Sequence, residues 1–360
     1  MTSKSFFESL EAIAYERGLD INAVLEKVET AVAVACRDTE YKGDVKIGEV
    51  DFEKKRIKFT DNYYVVAEIT EGNKGEILLE EALKLKPKAK VGQTIKREVK
   101  LDSFGRKSAG KFKQALLSGL KELEREEAYR FFEERVGEIL NAKVINKSES
   151  FVSFVIGSNF EATMPMSEAI PGEDFIPGES KKVYIVKVEK TTKGPKVFLS
   201  RSNREIVRKL FELNIPEIAD GTVEIMGISR DPGSRTKVGV LSTKAGVDAK
   251  GACVGHGGLR IKEINDTLNG EKIDIFTWKD NPVELISEAL LPARCLSVIS
   301  DEKTRKALVI VHDEQYSLAI GKSGQNARLA AYAIDWKIDI KKLSDATAEG
   351  IKFTYNVDFK

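Results

Sequence analysis

The chain opens with two runs whose apolar residues recur at helical spacing. Phe6, Leu10 and Ile13 share one face of the first run. Asp20 stands directly before the second run, where its carboxylate can accept a hydrogen bond from the first turn as an N-cap. That second run carries an apolar stripe of five residues: Ile21, Leu25, Val28, Val32 and Ala35. The pattern predicts two amphipathic helices that pack on a common core.

Strand-like alternation follows the two helices. From Val45 onward, VKIGEVDFEKKRIKFTDNYYVVAEIT alternates apolar and polar residues as a meander of strands does. The next segment, LKLKPKAKVGQTIKREVK, interleaves basic residues along an exposed face. A last helix begins near Ser108, turns Phe112 and Leu116 inward, and is highly charged toward its end. These elements predict an α/β domain over residues 1–130.

Residues 131–200 show a denser pattern of short strands separated by turns. Five alternating runs are predicted as strands, at 138–146, 150–157, 160–165, 181–189 and 196–200. Five short strands in so few residues favour an OB-type barrel, a fold that binds single strands through aromatic platforms and basic rims. The candidates for such contacts are Phe151, Phe154, Phe160 and Lys143. The three aromatic residues could instead belong to the core of the barrel.

The last part of the chain contains an internal repeat. VGHGGLRIK and IGKSGQNAR each hold a Gly-x-x-Gly word, at 255–258 and 321–324, between two helical patterns. The same four letters, KIDI, follow at 272–275 and 337–340. Two copies of helix, strand, strand, helix, loop, helix and strand predict tandem KH domains of the prokaryotic type.

The Gly-x-x-Gly words indicate how these domains would hold RNA. A backbone that presses against a phosphodiester has no room for side chains, and glycine permits both the close approach and a positive φ. The following helix directs its free N–H groups at the same phosphates. Lys322 adds a charge in the second loop, and Arg260 and Arg328 lie in the first turns of the following helices. His256 adds a titratable group to the first loop.

A hairpin turn in the first repeat carries further positive charge. Asp231-Pro232-Gly233 has turn chemistry, and Arg230 and Arg235 flank it together with Lys237. At the other end of the repeats, the tail 346–360 is either an added strand or disordered. The whole chain is thus predicted as a multidomain α+β protein divided into residues 1–130, 131–200, 201–280, 281–345 and 346–360.

Composition narrows the classes of function. The 58 basic and 57 acidic side chains give a net charge of +1, so binding to nucleic acid must come from local placement of charge. The three cysteines and two histidines show no metal or disulfide spacing, which is typical of a reducing cytoplasm. No apolar run approaches a membrane span or a secretory signal. We expect no catalytic residues, metal or cofactor.

Several long words resemble one bacterial family, the transcription elongation and termination factor NusA. The matching words are SFGRKSAGKFKQ (103–114), EAIPGEDFIPGESKKVYIVKVEKTTKGPKVFLSRS (168–202), SRDPGSRTKVGV (229–240), GACVGHGGLRIKEINDTLNGEKIDIFTW (251–278) and LAIGKSGQNARLAAYAIDWKIDI (318–340). The resemblance implies that residues 1–130 dock on RNA polymerase and that an S-one-type barrel and two KH domains bind nascent single-stranded RNA. It implies a monomer that promotes pausing and intrinsic termination and, with other Nus factors, antitermination.

The resemblance also implies which residues contact RNA. Carried over one by one, they are Gly255, His256, Gly257, Gly258, Arg260, Gly321, Lys322, Ser323, Gly324, Gln325, Asn326, Arg328, Arg230 and Arg235. The first loop has His256-Gly257 where this family usually carries a bulky residue and an arginine. Guesses for polymerase contacts in the first domain are Arg106, Lys107 and Lys111.

Two other functions remain open from the sequence. KH and S-one-type domains also occur together in RNA-processing enzymes, although residues 1–130 lack a convincing carboxylate cluster. The second alternative is a polymerase adaptor whose KH domains bind RNA only weakly; the balanced charge and the altered first loop keep it open.

Overall fold

The computed structural model describes residues 3–69, 75–157 and 160–357. The chain forms two compact units: one of residues up to 131 together with 190–195, and one of residues 132–189 and 196–360. Within the described ranges no helix is both long and apolar enough to span a membrane.

The first unit packs helices against a four-stranded sheet. Its elements are α1 (Ser3–Arg17), α2 (Ile21–Cys36), β1 (Asp44–Asp51), β2 (Arg56–Val66), β3 (Glu76–Leu78), α3 (Leu79–Leu85), β4 (Thr94–Val99) and α4 (Arg106–Glu133). Strand β2 is central, because it pairs antiparallel with β1 and β4 and parallel with β3. The predicted α/β character of this unit is confirmed.

The predicted helical stripes form the core of this unit. Asp20 caps α2 as expected, since its carboxylate accepts a hydrogen bond of 3.2 Å from the Ala23 N–H. Leu25, Val28 and Val32 of the stripe are buried. The last helix begins at Arg106, two residues before the predicted start.

A five-stranded sheet opens the second unit. Its strands are β5 (Ile139–Lys147), β6 (Phe151–Ile156), β7 (Phe160–Pro165), β8 (Ser180–Thr191) and β9 (Gly194–Ser200). Their spatial order is β7-β6-β5-β8-β9, and the ladders that join β5, β6, β7 and β8 are antiparallel. All five predicted strands are present, and this nearly closed, barrel-like sheet is the OB-type domain.

The aromatic candidates on the barrel separate into core and surface. Phe154 is fully buried on the same face of β6 as Val152 and Ile156, so it belongs to the core rather than to a stacking platform. Phe160 is half-buried and packs against Phe132 at a centroid distance of 5.6 Å. Phe151 is exposed, as is Lys143, and these two stay available to a ligand.

Two KH domains follow, with the same order of elements apart from a short additional helix, α6, in the first. The first comprises α5 (Glu205–Asn214), α6 (Pro216–Ala219), β10 (Val223–Asp231), β11 (Arg235–Ser242), α7 (Ala249–Val254), α8 (Leu259–Thr267) and β12 (Lys272–Thr277). The second comprises α9 (Pro282–Leu290), β13 (Cys295–Asp301), β14 (Lys306–Val311), α10 (Asp313–Ile320), α11 (Gln325–Ile334) and β15 (Lys337–Lys342). In each, a central strand pairs antiparallel with one neighbour and parallel with the strand that begins at KIDI. The predicted tandem KH domains are confirmed.

The tail docks on the second KH domain. Helix α12 (Leu343–Ala348) follows β15, and the chain then runs without regular structure to residue 357. The Asn356 side chain accepts a hydrogen bond from the Val298 N–H at 2.9 Å and donates one to the Val298 carbonyl at 2.7 Å. The described part of the tail is therefore neither a free segment nor a regular strand; residues 358–360 lie outside the described ranges.

Candidate nucleic-acid interface

The two Gly-x-x-Gly loops share one backbone conformation. Gly255 and Gly321 have φ/ψ values of 73/173° and 77/174°. Gly258 and Gly324, at the other end, both lie in the left-handed region at 76/15° and 75/12°. The two independent copies thus build the same tight turn, whose positive φ values explain the glycines at its ends.

The middle residues of the loops face solvent. His256 and Gly257 in the first loop, and Lys322 and Ser323 in the second, are exposed. Gly257 and Ser323 have φ values of 61° and 53°, so serine adopts in the second loop the left-handed conformation that glycine adopts in the first. Each loop leads directly into the N-terminus of α8 or α11. Exposed backbone and a helix N-terminus together form a surface suited to a phosphate.

Arg260 packs against the first loop and is hydrogen-bonded within the protein. Its Nη1 donates hydrogen bonds to the Glu217 carboxylate at 2.8 Å and to the Ala252 carbonyl at 2.7 Å. Its side-chain carbons pack so close to Gly255 that a Cβ there would come within 2.8 Å of them. The guanidinium therefore has internal partners, and the first loop depends on its backbone and His256 for contact with a ligand.

Asn326 supports the second loop from inside. The residue is 6% exposed, and its side-chain nitrogen donates to the Ala319 carbonyl at 3.0 Å and the Leu290 carbonyl at 2.9 Å. It thereby ties the start of α11 to the ends of α10 and α9. Its amide nitrogen is therefore used inside the domain, and contact of this residue with RNA stays a prediction.

Gln325 and Arg328 reach from α11 to the hairpin turn of the first KH domain. The Gln325 Nε2 lies 2.6 Å from an Asp231 carboxylate oxygen and 2.8 Å from the Ser234 hydroxyl. The Arg328 Nη2 lies 3.4 Å from the same Asp231 oxygen and remains 48% exposed. Of these two predicted RNA contacts, Arg328 still presents its charge to solvent.

Arg230 is an internal residue of the first KH domain. Its side chain is 2% exposed and lies against the fully buried Glu271, with Nη2 and Oε2 2.9 Å apart. Nη1 donates to the carbonyls of Arg201 and Asn203 at 2.8 and 2.7 Å. Burial and five hydrogen bonds thus commit the Arg230 side chain to the fold, and its contact with RNA stays a prediction that this geometry does not favour.

Arg235 and Lys237 share a carboxylate partner near the second KH domain. The Arg235 Nη1 contacts both oxygens of Asp274, at 3.0 and 2.8 Å, and the Lys237 Nζ lies 3.6 Å from the same group. The Lys237 Nζ also donates to the Leu291 carbonyl at 2.8 Å. Lys237 is 1% exposed, and burial lowers the pKa of its ammonium from 10.5 to about 8, against the opposing effect of Asp274.

This lowered pKa predicts a pH dependence of stability. Between about pH 8 and 10.5 the unfolded chain binds a proton that the folded Lys237 has lost, so this residue's contribution to the free energy of unfolding becomes more favourable as pH rises. Below pH 8 the cost of burying the charge is fully present. We expect wild type to gain about 1 to 3 kcal/mol relative to Lys237→Met across this window. Urea unfolding of both proteins at several pH values measures it.

The control for this prediction is Lys262→Met, which removes an exposed lysine from the same KH domain. It keeps Lys237 and shows how far the removal of a lysine from this domain changes stability by itself. A difference between wild type and Lys237→Met that stays constant from pH 8 to 10.5 would contradict the lowered pKa of Lys237.

Sequence reasoning missed the pair that joins the barrel to the first KH domain. Arg201 and Glu173, 1% and 2% exposed, form a bidentate pair with both contacts at 2.6 Å. Arg201 also donates to the carbonyls of Lys182 in the barrel and Thr267 in α8. Sequence reasoning also missed Glu271, whose position in the second repeat is occupied by Trp336; both residues are buried.

Potential metal ligands and nucleophiles are found among the described residues. No group of three or more His, Cys, Asp or Glu side chains in the described ranges is placed to hold a metal ion. The three cysteines are buried, and burial raises their thiol pKa values, to about 11 for Cys36, 12 for Cys253 and 11 for Cys295. Thiols in such surroundings are poor nucleophiles at neutral pH.

Comparison with protein-family models matches three parts of the chain. The model described as the NusA N-terminal domain matches residues 5–126. The models described as the NusA-like first and second KH domains match residues 201–278 and 282–348.

Curated proteins match over nearly the whole chain. The transcription termination/antitermination protein NusA of Bacillus subtilis is 39% identical over 350 residues, which cover 97% of this chain and 94% of that protein. The proteins of the same name from Halalkalibacterium halodurans and Thermus thermophilus are 38% and 36% identical, over 97% and 94% of this chain and 91% and 90% of theirs. Among solved structures, the N-terminal domain of B. subtilis NusA is 27% identical, with a TM-score of 0.24. The match covers 34% of this chain and 99% of that domain.

Proposed function

The chain belongs to the NusA family of transcription termination/antitermination proteins, and from that membership we propose that it binds RNA polymerase and the nascent transcript. The first unit docks on the polymerase, and the barrel and KH domains bind single-stranded RNA as it emerges. The factor acts as a monomer in the cytoplasm. It promotes pausing and intrinsic termination and, with other Nus factors, antitermination, without catalysing a reaction.

The observation that carries this proposal is the matched geometry of the two Gly-x-x-Gly loops. Each exposes two middle residues at a turn that leads into a helix N-terminus. A phosphate placed there would meet backbone N–H groups and the positive end of the helix dipole. We assign the RNA contact to the backbone of both loops, to His256 and Lys322, and to the exposed Arg328.

The proposal predicts that negative charge in both loops weakens RNA binding. The test variant carries His256→Asp, Gly257→Asp, Lys322→Asp and Ser323→Asp in the full chain. All four residues are exposed, an added Cβ at Gly257 meets nothing within 4 Å, and aspartate tolerates the left-handed region. We expect affinity for single-stranded RNA to fall at least about tenfold, or about 1.4 kcal/mol, in a fluorescence anisotropy titration.

The chain offers a control with three identical residue changes and one closely similar change, threonine for serine, away from the loops. His312→Asp, Gly350→Asp, Lys352→Asp and Thr354→Asp alter the charge equally at exposed positions, and Gly350 has the same open, positive-φ environment. This control should bind RNA nearly as wild type does, and circular dichroism verifies that both variants fold. Equal binding by the loop variant and the control would refute the phosphate contact.

The structure also gives grounds for the adaptor alternative. Arg230, Arg235 and Arg260 have carboxylate partners inside the protein, which reduces the positive charge that the KH surface offers to RNA. A wild-type chain that binds RNA polymerase but shows no affinity for single-stranded RNA would favour the adaptor and refute the RNA-binding proposal.

A further inference from the structure

The first unit carries its excess positive charge in one short segment. Residues 84–97 contain six basic side chains and no acidic one. Residues 1–130 have a net charge of +1, so the remainder of that range has a net charge of −5. Lys84 lies in the last turn of α3, and Lys86, Lys88 and Lys90 lie on the connection from α3 to β4. We call these four lysines together with that connection the lysine loop.

The lysine loop is held in place by backbone contacts. A turn closed by the Ala89 N–H and the Lys86 carbonyl at 3.0 Å buries Ala89 in the core. A second turn follows, and its ends pair with β2, because Gly92 donates to the Val65 carbonyl and the Val65 N–H donates to the Gln93 carbonyl, both at 2.9 Å. The loop therefore presents its lysines from a fixed base rather than from a free segment.

The charges of this loop lack the partners that other basic residues of the unit possess. Lys84, Lys86, Lys88 and Lys90 are exposed, and in the described ranges none lies within 4.0 Å of a carboxylate. By contrast, many other basic side chains of this unit form ion pairs with a carboxylate: Arg17, Lys27, Lys46, Lys54, Lys55, Lys58, Arg97, Lys107, Lys111 and Arg130. Four adjacent lysines without such partners form an open electropositive surface that a polyanion can neutralise.

We propose that the lysine loop is a second RNA-binding site, which contacts phosphates without reading sequence. Lysine is depleted from protein–protein interfaces, whereas contacts to a nucleic-acid backbone come largely from lysine and arginine. The exposed Leu85 and Val91 beside the loop are the part of this surface that would instead suit a protein. The site goes beyond the proposed function, because it assigns RNA to the first unit in addition to the KH domains.

The test measures how RNA binding of the full chain depends on salt. The variant Lys84→Gln, Lys86→Gln, Lys88→Gln and Lys90→Gln is compared with a second variant, Lys46→Gln, Lys54→Gln, Lys55→Gln and Lys58→Gln. The second variant removes equal charge from lysines of the same unit that have carboxylate partners. The probe is a labelled RNA stem-loop with single-stranded flanks. Each lost phosphate contact lowers the slope of log K against log salt by about 0.7 to 0.9, so four contacts lower it by about 3.

The outcomes separate this inference from the proposed function. A slope lowered by at least about 0.7 in the lysine-loop variant, with the control unchanged, supports the site. An unchanged slope overturns it, while the Gly-x-x-Gly variant still tests the KH domains independently. Unchanged RNA binding together with weaker binding to purified RNA polymerase would overturn it in favour of a protein contact.

Discussion

Replacing Glu271 with alanine is expected to lower the free energy of unfolding of the second unit by about 3 to 5 kcal/mol, because it leaves a buried guanidinium without its counter-charge. Glu271 is fully buried and accepts hydrogen bonds from Arg230, the Gly233 N–H and the Thr236 hydroxyl. Its loss would also release the hairpin turn that receives Gln325 from the second KH domain.

The measurement is urea unfolding of the full chain, followed through the transition of the second unit. Glu263→Ala removes an exposed carboxylate from α8 and should change stability by less than about 0.5 kcal/mol. Arg230→Met combined with Glu271→Leu should recover part of the loss, since a buried ion pair can be replaced by apolar side chains. A loss for Glu271→Ala no larger than that for Glu263→Ala would contradict the role of this network.

Local patterns in the sequence were sufficient for the architecture. The α2 stripe, the five barrel strands and the two KIDI words each occupy the element that their spacing predicts. Phe154 lies two residues from both Val152 and Ile156, so these three residues share the buried face of β6. Phe151 lies on the other face. Periodicity works here because it reports directly which face of an element is buried.

The roles of individual arginines could not be predicted in this way. Arg230 and Glu271 are 41 residues apart, and Arg201 and Glu173 are 28 apart, so no local pattern announces either pair. An arginine beside a turn has the same sequence signature whether it contacts phosphate or a buried glutamate. Asn326 illustrates the same limit, because its burial depends on the carbonyls of two other helices.

The contacts between the KH domains decide what the two loops can do together. Helix α11 and Leu291 of the second KH domain pack against β10, β11 and the hairpin turn of the first. We call this interface between the two KH domains the KH seam. Its polar contacts involve Gln325, Arg328 and Lys237. Two loops held by one seam can bind one RNA strand with the advantage of a high effective concentration. Separation of the domains would forfeit that advantage even if each loop kept its own shape.

Gly227→Ala is therefore expected to weaken binding of an RNA that contacts both loops by about 10- to 100-fold. A Cβ at Gly227, at the bulge in β10, would lie 2.0 Å from the Ala333 carbonyl oxygen at the end of α11. The Ala333 carbonyl belongs to the main chain and cannot give way as the end of a flexible side chain can, so we expect β10 and α11 to move apart and the KH seam to open. Anisotropy titrations measure the affinity, and hydrogen exchange in β10 and α11 reports the opening.

Gly110→Ala is the matched control, since an added Cβ in α4 meets nothing within 4 Å and alanine favours a helix. It should leave RNA affinity and exchange in α11 unchanged. Faster exchange in Gly227→Ala with undiminished affinity would show that each loop binds RNA without the other. Unchanged exchange and affinity would show that the KH seam tolerates the added methyl group, and would remove the argument that it couples the two loops.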